Sequence, residues 1–455
     1  MESSERLVVR LLTSAALVCG IVLSGCDTDE IEPDEIETEE PRIDPIRKVF
    51  AVELDHPAVW NESDFKTLVN KIEIAGGGES YNFLVTTYAS RETQFIGQTE
   101  RLSIRKDFAK GMTPQFLVTD IHSFTTTTRD PVYLSVGGKD VDDSYSSRAD
   151  LDEIALPFTF TQASGIDLSN YKAHFASFDR ANILGEDFLN GDRNFYIAGN
   201  AYDAAKVAHP FIATLTSRWH IFTDTWTGNI STFAFLDDLG GEVLKIKHDH
   251  FNGIYILTLD NTTNEIVISR YSDVDVNNNH RHDPEDSYKK VWSTRIKDFN
   301  VDKFLANFTI TEGKLFLAGS AIVPDGDEAG KLVSLDKETG ALLSQTLFNY
   351  SDDNDAFYGV TQSGQNIFGY GYSHQMKSGT DVVSSRGWAV KFSFDEEPLQ
   401  NYVYTEENAI IEFTAGVGGY EQNNFNKRGS FAIGGSRKTV TGFTAFATEF
   451  VHSYN

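Results

Sequence analysis

An aromatic-led tetrad recurs seven times along this chain, and that repeat limits the fold more than any other feature. It reads Phe83-Leu-Val-Thr, Tyr133-Leu-Ser-Val with Gly137 next, Tyr196-Ile-Ala-Gly199, Tyr255-Ile-Leu-Thr, Phe316-Leu-Ala-Gly319, Phe368-Gly-Tyr-Gly371 and Phe431-Ala-Ile-Gly434. Successive copies lie 50, 63, 59, 61, 52 and 63 residues apart. A strand-like run and a tight turn precede the well-formed copies, as in Asn307-Phe-Thr-Ile-Thr followed by Glu312-Gly313. A variable loop and another strand follow, such as Leu332-Val-Ser-Leu, and Leu335-Asp-Lys-Glu-Thr-Gly340 turns into a fourth, Leu342-Leu-Ser-Gln-Thr. Four antiparallel strands per repeat is the pattern of a blade, so the chain reads as all-β, a seven-bladed β-propeller of four-stranded antiparallel blades over residues 47–455. An array of β-sandwiches is the alternative; the matched flanks of the copies favour the propeller. The glycines suit a second strand where sheets crowd and side chains must be small.

The N-terminus has a different character. Glu2, Glu5, Arg6 and Arg10 precede an apolar run from Leu11 to Leu23, too short to span a bilayer and ending in Leu23-Ser24-Gly25-Cys26. Residues 1–25 therefore read as a signal peptide. Residues 27–46 carry ten carboxylates, one arginine and three prolines, an extended acidic tether from 26 to 46. The chain has two cysteines, and Cys19 falls in the signal, so no disulfide or thiolate metal site is expected. Of the formal charge of −28, the tether carries nine negative charges, leaving −19 on the rest. Such a surface argues against nucleic acid as a partner, which needs a basic stripe.

Leu23-Ser24-Gly25-Cys26 resembles the lipobox of bacterial lipoproteins. The resemblance implies acylation of Cys26 and anchoring in a lipid bilayer, where several acyl chains hold a protein that one would not. The acidic segment beside Cys26 looks like the export signal of Bacteroidetes surface lipoproteins, which implies the outer membrane and cell-surface exposure; a periplasm-facing anchor is the alternative. Lipobox, size and repeat together resemble the propeller lipoproteins of siderophore and nutrient uptake systems.

Propellers bind at a face where the loops after the second strands converge, and here those loops differ strongly in content. They place Tyr202 and His209, Tyr372 and His374, Lys377 and Arg386, and Arg437 and Lys438 as candidate ligand-binding groups for an anionic or polyhydroxylated molecule, against the plainer reading of solvated loop charges. The run from Asp273 to Asp286 opens like a calcium loop, with Asp273, Asp275, Asn277 and Asn279 as oxygen ligands. Its sixth position is Asn278 in place of glycine and its twelfth is Pro284 in place of glutamate, so it is no EF-hand; a looser Ca²⁺ site or a solvated loop between outer strands remains. His248-Asp-His250 and His280-Arg-His282 put two imidazoles on one strand face, half of a Zn²⁺ or Cu²⁺ site. No nucleophile elbow, His-Glu-x-x-His or phosphate-cradling loop is present. The leading expectation is a ligand-binding lipoprotein, without a required cofactor, that passes a nutrient (a siderophore, glycan or similar small molecule) to an outer-membrane transporter. A surface polysaccharide lyase or glycoside hydrolase and a cell-envelope interaction scaffold are the rivals.

Overall fold

Aromatic and β-branched runs between glycine and asparagine turns form strands, and among the described residues there is no helix. The computed structural model describes residues 48–52, 66–75, 82–91, 94–103, 117–124, 132–139, 146–151, 154–155, 162–163, 166–180, 193–220, 225–236, 238–249, 253–274, 287–351, 354–377, 381–418, 428–439 and 442–453. The chain divides into two compact units, Met1–Arg42 and Ile43–Asn455, and every described residue belongs to the second. The signal peptide, Cys26 and the tether lie outside the described residues.

The strands pair into six four-stranded sheets, one three-stranded sheet and a two-stranded ribbon at Gln162–Ala163 and Ile166–Asp167. In five of the four-stranded sheets and in the three-stranded one, neighbours in the sheet are neighbours in the chain. The sixth joins distant parts of the sequence. There Lys48–Val52 lies antiparallel to Gly442–Ser453, from Lys48 opposite Glu449 to Val52 opposite Ala445. Radially repeated antiparallel sheets, with the start of the folded part completing the last of them, make a β-propeller. The joint covers with hydrogen bonds what would otherwise be a free strand edge.

All seven tetrads fall on second strands: Asn82–Arg91, Val132–Lys139, Arg193–Tyr202, Gly253–Asp260, Lys314–Ile322, Asn366–Lys377 and Arg428–Thr439. The first strands are Lys66–Ala75, Leu117–Phe124, Lys172–Arg180, Glu242–His248, Phe308–Ile310, Asn354–Ser363 and Ile410–Gly418. Six of these carry a β-bulge against the second strand; the short Phe308–Ile310 does not. Opposite the residue that opens the bulge stand Thr87, Gly137, Gly199, Thr258, Gly371 and Gly435.

This marker corrects the alignment by aromatic residues. Tyr196, Tyr255 and Phe368 each stand three places before the marker, whereas in the other bulged sheets that place belongs to Leu84, Leu134 and Ala432. The tetrads at Phe83, Tyr133 and Phe431 are thus one residue out of register, and a one-residue slip turns a strand position to the other face. Phe431 accordingly packs back on Phe368 of the preceding sheet, with ring centroids 4.1 Å apart, while Ala432 faces Val69 and Ile72. Tyr196 and Ala198 instead pack forward on Ile246 and Ile256, and Phe195 and Ile197 fill the core on the other side of their own strand.

The glycines opposite the bulges are small for a reason the sequence reading did not anticipate. A Cβ on Gly199 would lie 2.1 Å from the His174 carbonyl oxygen, and one on Gly371 would lie 1.9 Å from that of Ala356. At these two positions the crowding comes from the first strand of the same sheet, where the bulge pushes backbone outward; at Gly434, next to the marker Gly435, a neighbouring sheet intrudes through the Val69 side chain at 2.3 Å. Because backbone cannot rotate away, Gly199→Ala or Gly371→Ala is expected to cost about 3 kcal/mol or more. Gly313→Ala, where nothing lies within 4 Å, is the control expected to change the urea midpoint little.

Candidate functional site

The first strands converge on one cavity of about 570 Å³, to which they contribute, in chain order, Ile72, Asp120, Asp179, Lys247, Thr309, Thr361 and Val417. It runs from mid-strand toward the end where first strands turn into second ones, and Asp249, Glu312 and Gln362 line it there.

The bulges shape its wall. Asp120, Ser177 and Lys245 each follow the bulge of their strand, so the same local geometry aims one side chain from three successive sheets at one point. The Asp120 carboxylate accepts hydrogen bonds from Ser177 Oγ, from the Phe178 backbone N–H at 3.3 Å and from Lys245 Nζ at 2.5 Å. Only 4 % of the Asp120 side chain and 9 % of the Lys245 side chain is exposed. Across the cavity the post-bulge residues are Gly359 and Ala415; Ala415 lines the open space, and Tyr370 occupies the place a side chain on Gly359 would take. Nearer the turn end Lys337 stands 3.4 Å from Asp249, whose carboxylate also accepts from the Gly253 N–H and the Tyr255 hydroxyl.

One phenol reaches this cavity through the gap left by glycines. A Cβ on Gly359 would lie 2.6 Å from the Tyr370 oxygen, and one on Gly416 would lie 2.7 Å from its ring. The Tyr370 oxygen accepts from Asn307 Nδ2 at 3.4 Å and from the Gly416 backbone N–H. Burial pushes the phenol up to about 12 despite both donors, so it carries its proton at neutral pH. Asn307 Oδ1 is buried and, among the described residues, has no hydrogen-bond donor.

The ligand-binding candidates Tyr202, His209, Tyr372, His374, Arg386, Arg437 and Lys438 lie toward the opposite end, where second strands turn into third ones, and none of them lines this cavity, whereas His248 of the His248-Asp-His250 pair ends its first strand and does line it. Tyr372 and His374 come together: their rings stack 3.8 Å apart, Tyr372 donates to Glu328 at 2.7 Å, and His374 Nε2 stands 3.4 Å from Glu412. Tyr358 donates to the same Glu412 at 3.2 Å. Burial, then Glu412, Tyr372 and Asp302, push the Tyr358 phenol well above its ordinary value, and burial and Glu328 raise Tyr372. These hydroxyls are proton donors at neutral pH, unsuited to act as bases.

The other candidates have separate partners. His209 lies 3.3 Å from Asp203, whose carboxyl is held below the usual range first by the Val207 backbone N–H and then by His209. Tyr202 ends its strand half-buried, opposite Lys172 and Ala208. Arg386 lies over the Tyr350 ring at 5.5 Å, Arg437 pairs with Glu406 at 2.5 Å, and Lys438 lies over Phe443 at 5.0 Å. Lys377 pairs with Asp381 through its backbone, and its side chain lies outside the described residues. Asp273 accepts from the Tyr196 hydroxyl at 2.9 Å, while Asp275, Asn277, Asn279, His250, His280 and His282 lie outside the described residues. Among the described residues no three His, Cys, Asp or Glu side chains are grouped to hold a metal ion.

Asp120 and Lys245 were missed because their side chains are aimed by bulges that the alternation of residues does not reveal, and Asn307 because it precedes a short strand without any motif of its own. Tyr370 had a signal: it is the one tyrosine in third place of a tetrad, with glycine on either side.

No protein-family model and no curated protein matches the chain. Among solved structures it is similar to a neuraminidase-like protein from A/bat/Guatemala/164/2009, at 7% identity and TM-score 0.39, covering 89% of this chain and 94% of that one. It is also similar to the WD40 domain of SCAP from fission yeast, at 10% identity and TM-score 0.34, covering 87% of this chain and 91% of that one.

Proposed function

We propose that the protein is an exported lipoprotein, anchored through acylated Cys26, whose propeller has seven blades and binds a small ligand in its axial cavity. The observation that supports this reading most is the cavity itself, lined by seven first strands and about the size of a ligand pocket. Its wall combines apolar positions such as Ile72 and Val417 with a few fixed polar groups, the composition that orients a ligand. The lipobox-like Leu23-Ser24-Gly25-Cys26 and the acidic tether support a domain held on a leash outside the cytoplasm, at the outer-membrane surface. From there it hands its ligand to an outer-membrane transporter.

Two measurements test the reading. Cys26→Ala is expected to abolish lipid labelling and to move the protein from the membrane to the soluble fraction. Retention of label would place the anchor elsewhere. Calorimetry of the full-length protein against siderophores, haem and oligosaccharides is expected to find a ligand whose binding is lost on Gln362→Trp, which crowds the turn end of the cavity.

A surface lyase or hydrolase is the second reading, favoured by the Tyr372, His374 and Glu412 cluster. Turnover of a polysaccharide that is lost in His374→Ala and kept in Gln362→Trp would replace the first reading with this one.

A further inference from the structure

We infer that the axial cavity takes a neutral polyhydroxylated ligand, a carbohydrate, and that Asn307 and Tyr370 together recognise one of its hydroxyl groups. The inference rests on the cavity being the binding site. Its core is an inventory of donors and acceptors. The Tyr370 oxygen already accepts from Asn307 Nδ2 and from the Gly416 N–H, and among the described residues its own O–H has no acceptor. Asn307 Oδ1 beside it has no donor. Exchanging the amide oxygen and nitrogen of Asn307 changes the roles and not the outcome. Tyr370 then donates to Oδ1, the amide N–H becomes the unused donor, and the phenol oxygen keeps an accepting lone pair. Either way one donor and one acceptor stand side by side in the wall of the cavity. A hydroxyl is the group that accepts from one and donates to the other through a single atom.

The placement is built into the fold. Tyr370 reaches the cavity only because Gly359 and Gly416 carry no Cβ, and its buried ring fixes where the hydroxyl points. The rest of the wall sets the charge of the ligand. Three lysines, Lys245, Lys247 and Lys337, face four carboxylates, Asp120, Asp179, Asp249 and Glu312, so the cavity has no excess of positive charge to attract an anion. Lys245 and Lys337 are engaged by Asp120 and Asp249. Thr309, Thr311, Thr361 and Gln362 line the remaining wall with neutral polar groups, of which the Thr361 hydroxyl, accepting from the Gly418 N–H, keeps its own proton to donate.

The test is calorimetry of the full-length protein with neutral malto-, cello-, xylo- and manno-oligosaccharides, and with oligogalacturonate as the anionic probe. At least one neutral series is expected to bind with an affinity that salt leaves unchanged. Tyr370→Phe, which keeps the ring in its slot, and Asn307→Ala are each expected to weaken it about tenfold. A deoxy form of that sugar lacking the recognised hydroxyl should lose the same factor with the native protein and nothing more with Tyr370→Phe. Binding of oligogalacturonate alone with a steep salt dependence, or of no carbohydrate, overturns the inference. So does a neutral sugar indifferent to both substitutions. If Gln362→Trp still abolishes binding of another ligand, only the ligand class has failed; if it leaves all binding intact, the cavity reading has failed as well.

Discussion

Lys245→Met is expected to destabilise the protein by about 3–5 kcal/mol, because it strands the buried Asp120 carboxylate. In the native protein Ser177, the Phe178 N–H and Lys245 donate to that carboxylate from two other sheets, and of these three Lys245 is the charged one. Ser177 and the Phe178 N–H would remain, enough to satisfy lone pairs and too little to replace a counter-charge in a site from which water is largely excluded. Methionine keeps the length and the packing of the lysine stem, so the loss reports the charge and not a void. The double variant Asp120→Asn with Lys245→Met is the decisive comparison. A buried pair costs much to break and little to remove whole, so the double is expected to recover most of the single variant's loss in urea unfolding at constant m-value. A loss below about 1 kcal/mol in the single variant would mean that solvent screens the pair as it does at a surface.

That pair also shows where the sequence stops being readable. Strands, their order and their second-strand tetrads follow from local pattern: apolar alternation, glycine turns and a repeat length that only a sheet of four strands fills. The turn at Leu335–Gly340, the strand that follows it at Leu342–Phe348 and the end of a strand at His248 are all where those signals place them. The strand Lys48–Val52 was legible only as an apolar run, Val49-Phe50-Ala51-Val52, because its partner lies some 400 residues away in Gly442–Ser453. The phase of three tetrads was misread for a related reason. An aromatic residue fits either face of a strand that is buried on both sides, whereas a glycine opposite a bulge fits one position only. The cavity was the least legible part. Its contacts join residues 57 to 125 positions apart, as Asp120 does with Ser177 and Lys245, and they depend on bulges that shift a strand by one residue. Attention to loops found the polar end at Tyr372 and His374; the concave space lies along the first strands, at the other end.

Alkaline pH is expected to unfold the protein in one steep step, about one to three units above pH 10. Tyr196, Tyr358, Tyr370 and Tyr372 are held neutral chiefly by burial; Asp273 adds to this at Tyr196, Glu412 at Tyr358 and Glu328 at Tyr372. Their folded-state values stand above the ordinary phenol range, with Tyr370 at about 12 and the others raised further or well beyond that range. An unfolded chain ionises its tyrosines near pH 10. Below that pH neither state loses phenolic protons, and the stabilisation is fully present. Above it the unfolded state releases protons that the folded state retains, so stability falls as pH rises toward the folded values. Each such tyrosine contributes about 1.4 kcal/mol per pH unit to the slope, and four together give roughly 5 kcal/mol per pH unit between pH 10 and 12. Against a total stability of about 5–15 kcal/mol, that slope exhausts the folded state within one to three units. Tyrosinate absorbance and far-ultraviolet circular dichroism should therefore change together, in one transition. Tyr196→Phe or Tyr372→Phe should each make it shallower by one proton. Gradual ionisation of these tyrosines with the strand signal intact would show that the phenols are open to water and that burial does not govern them.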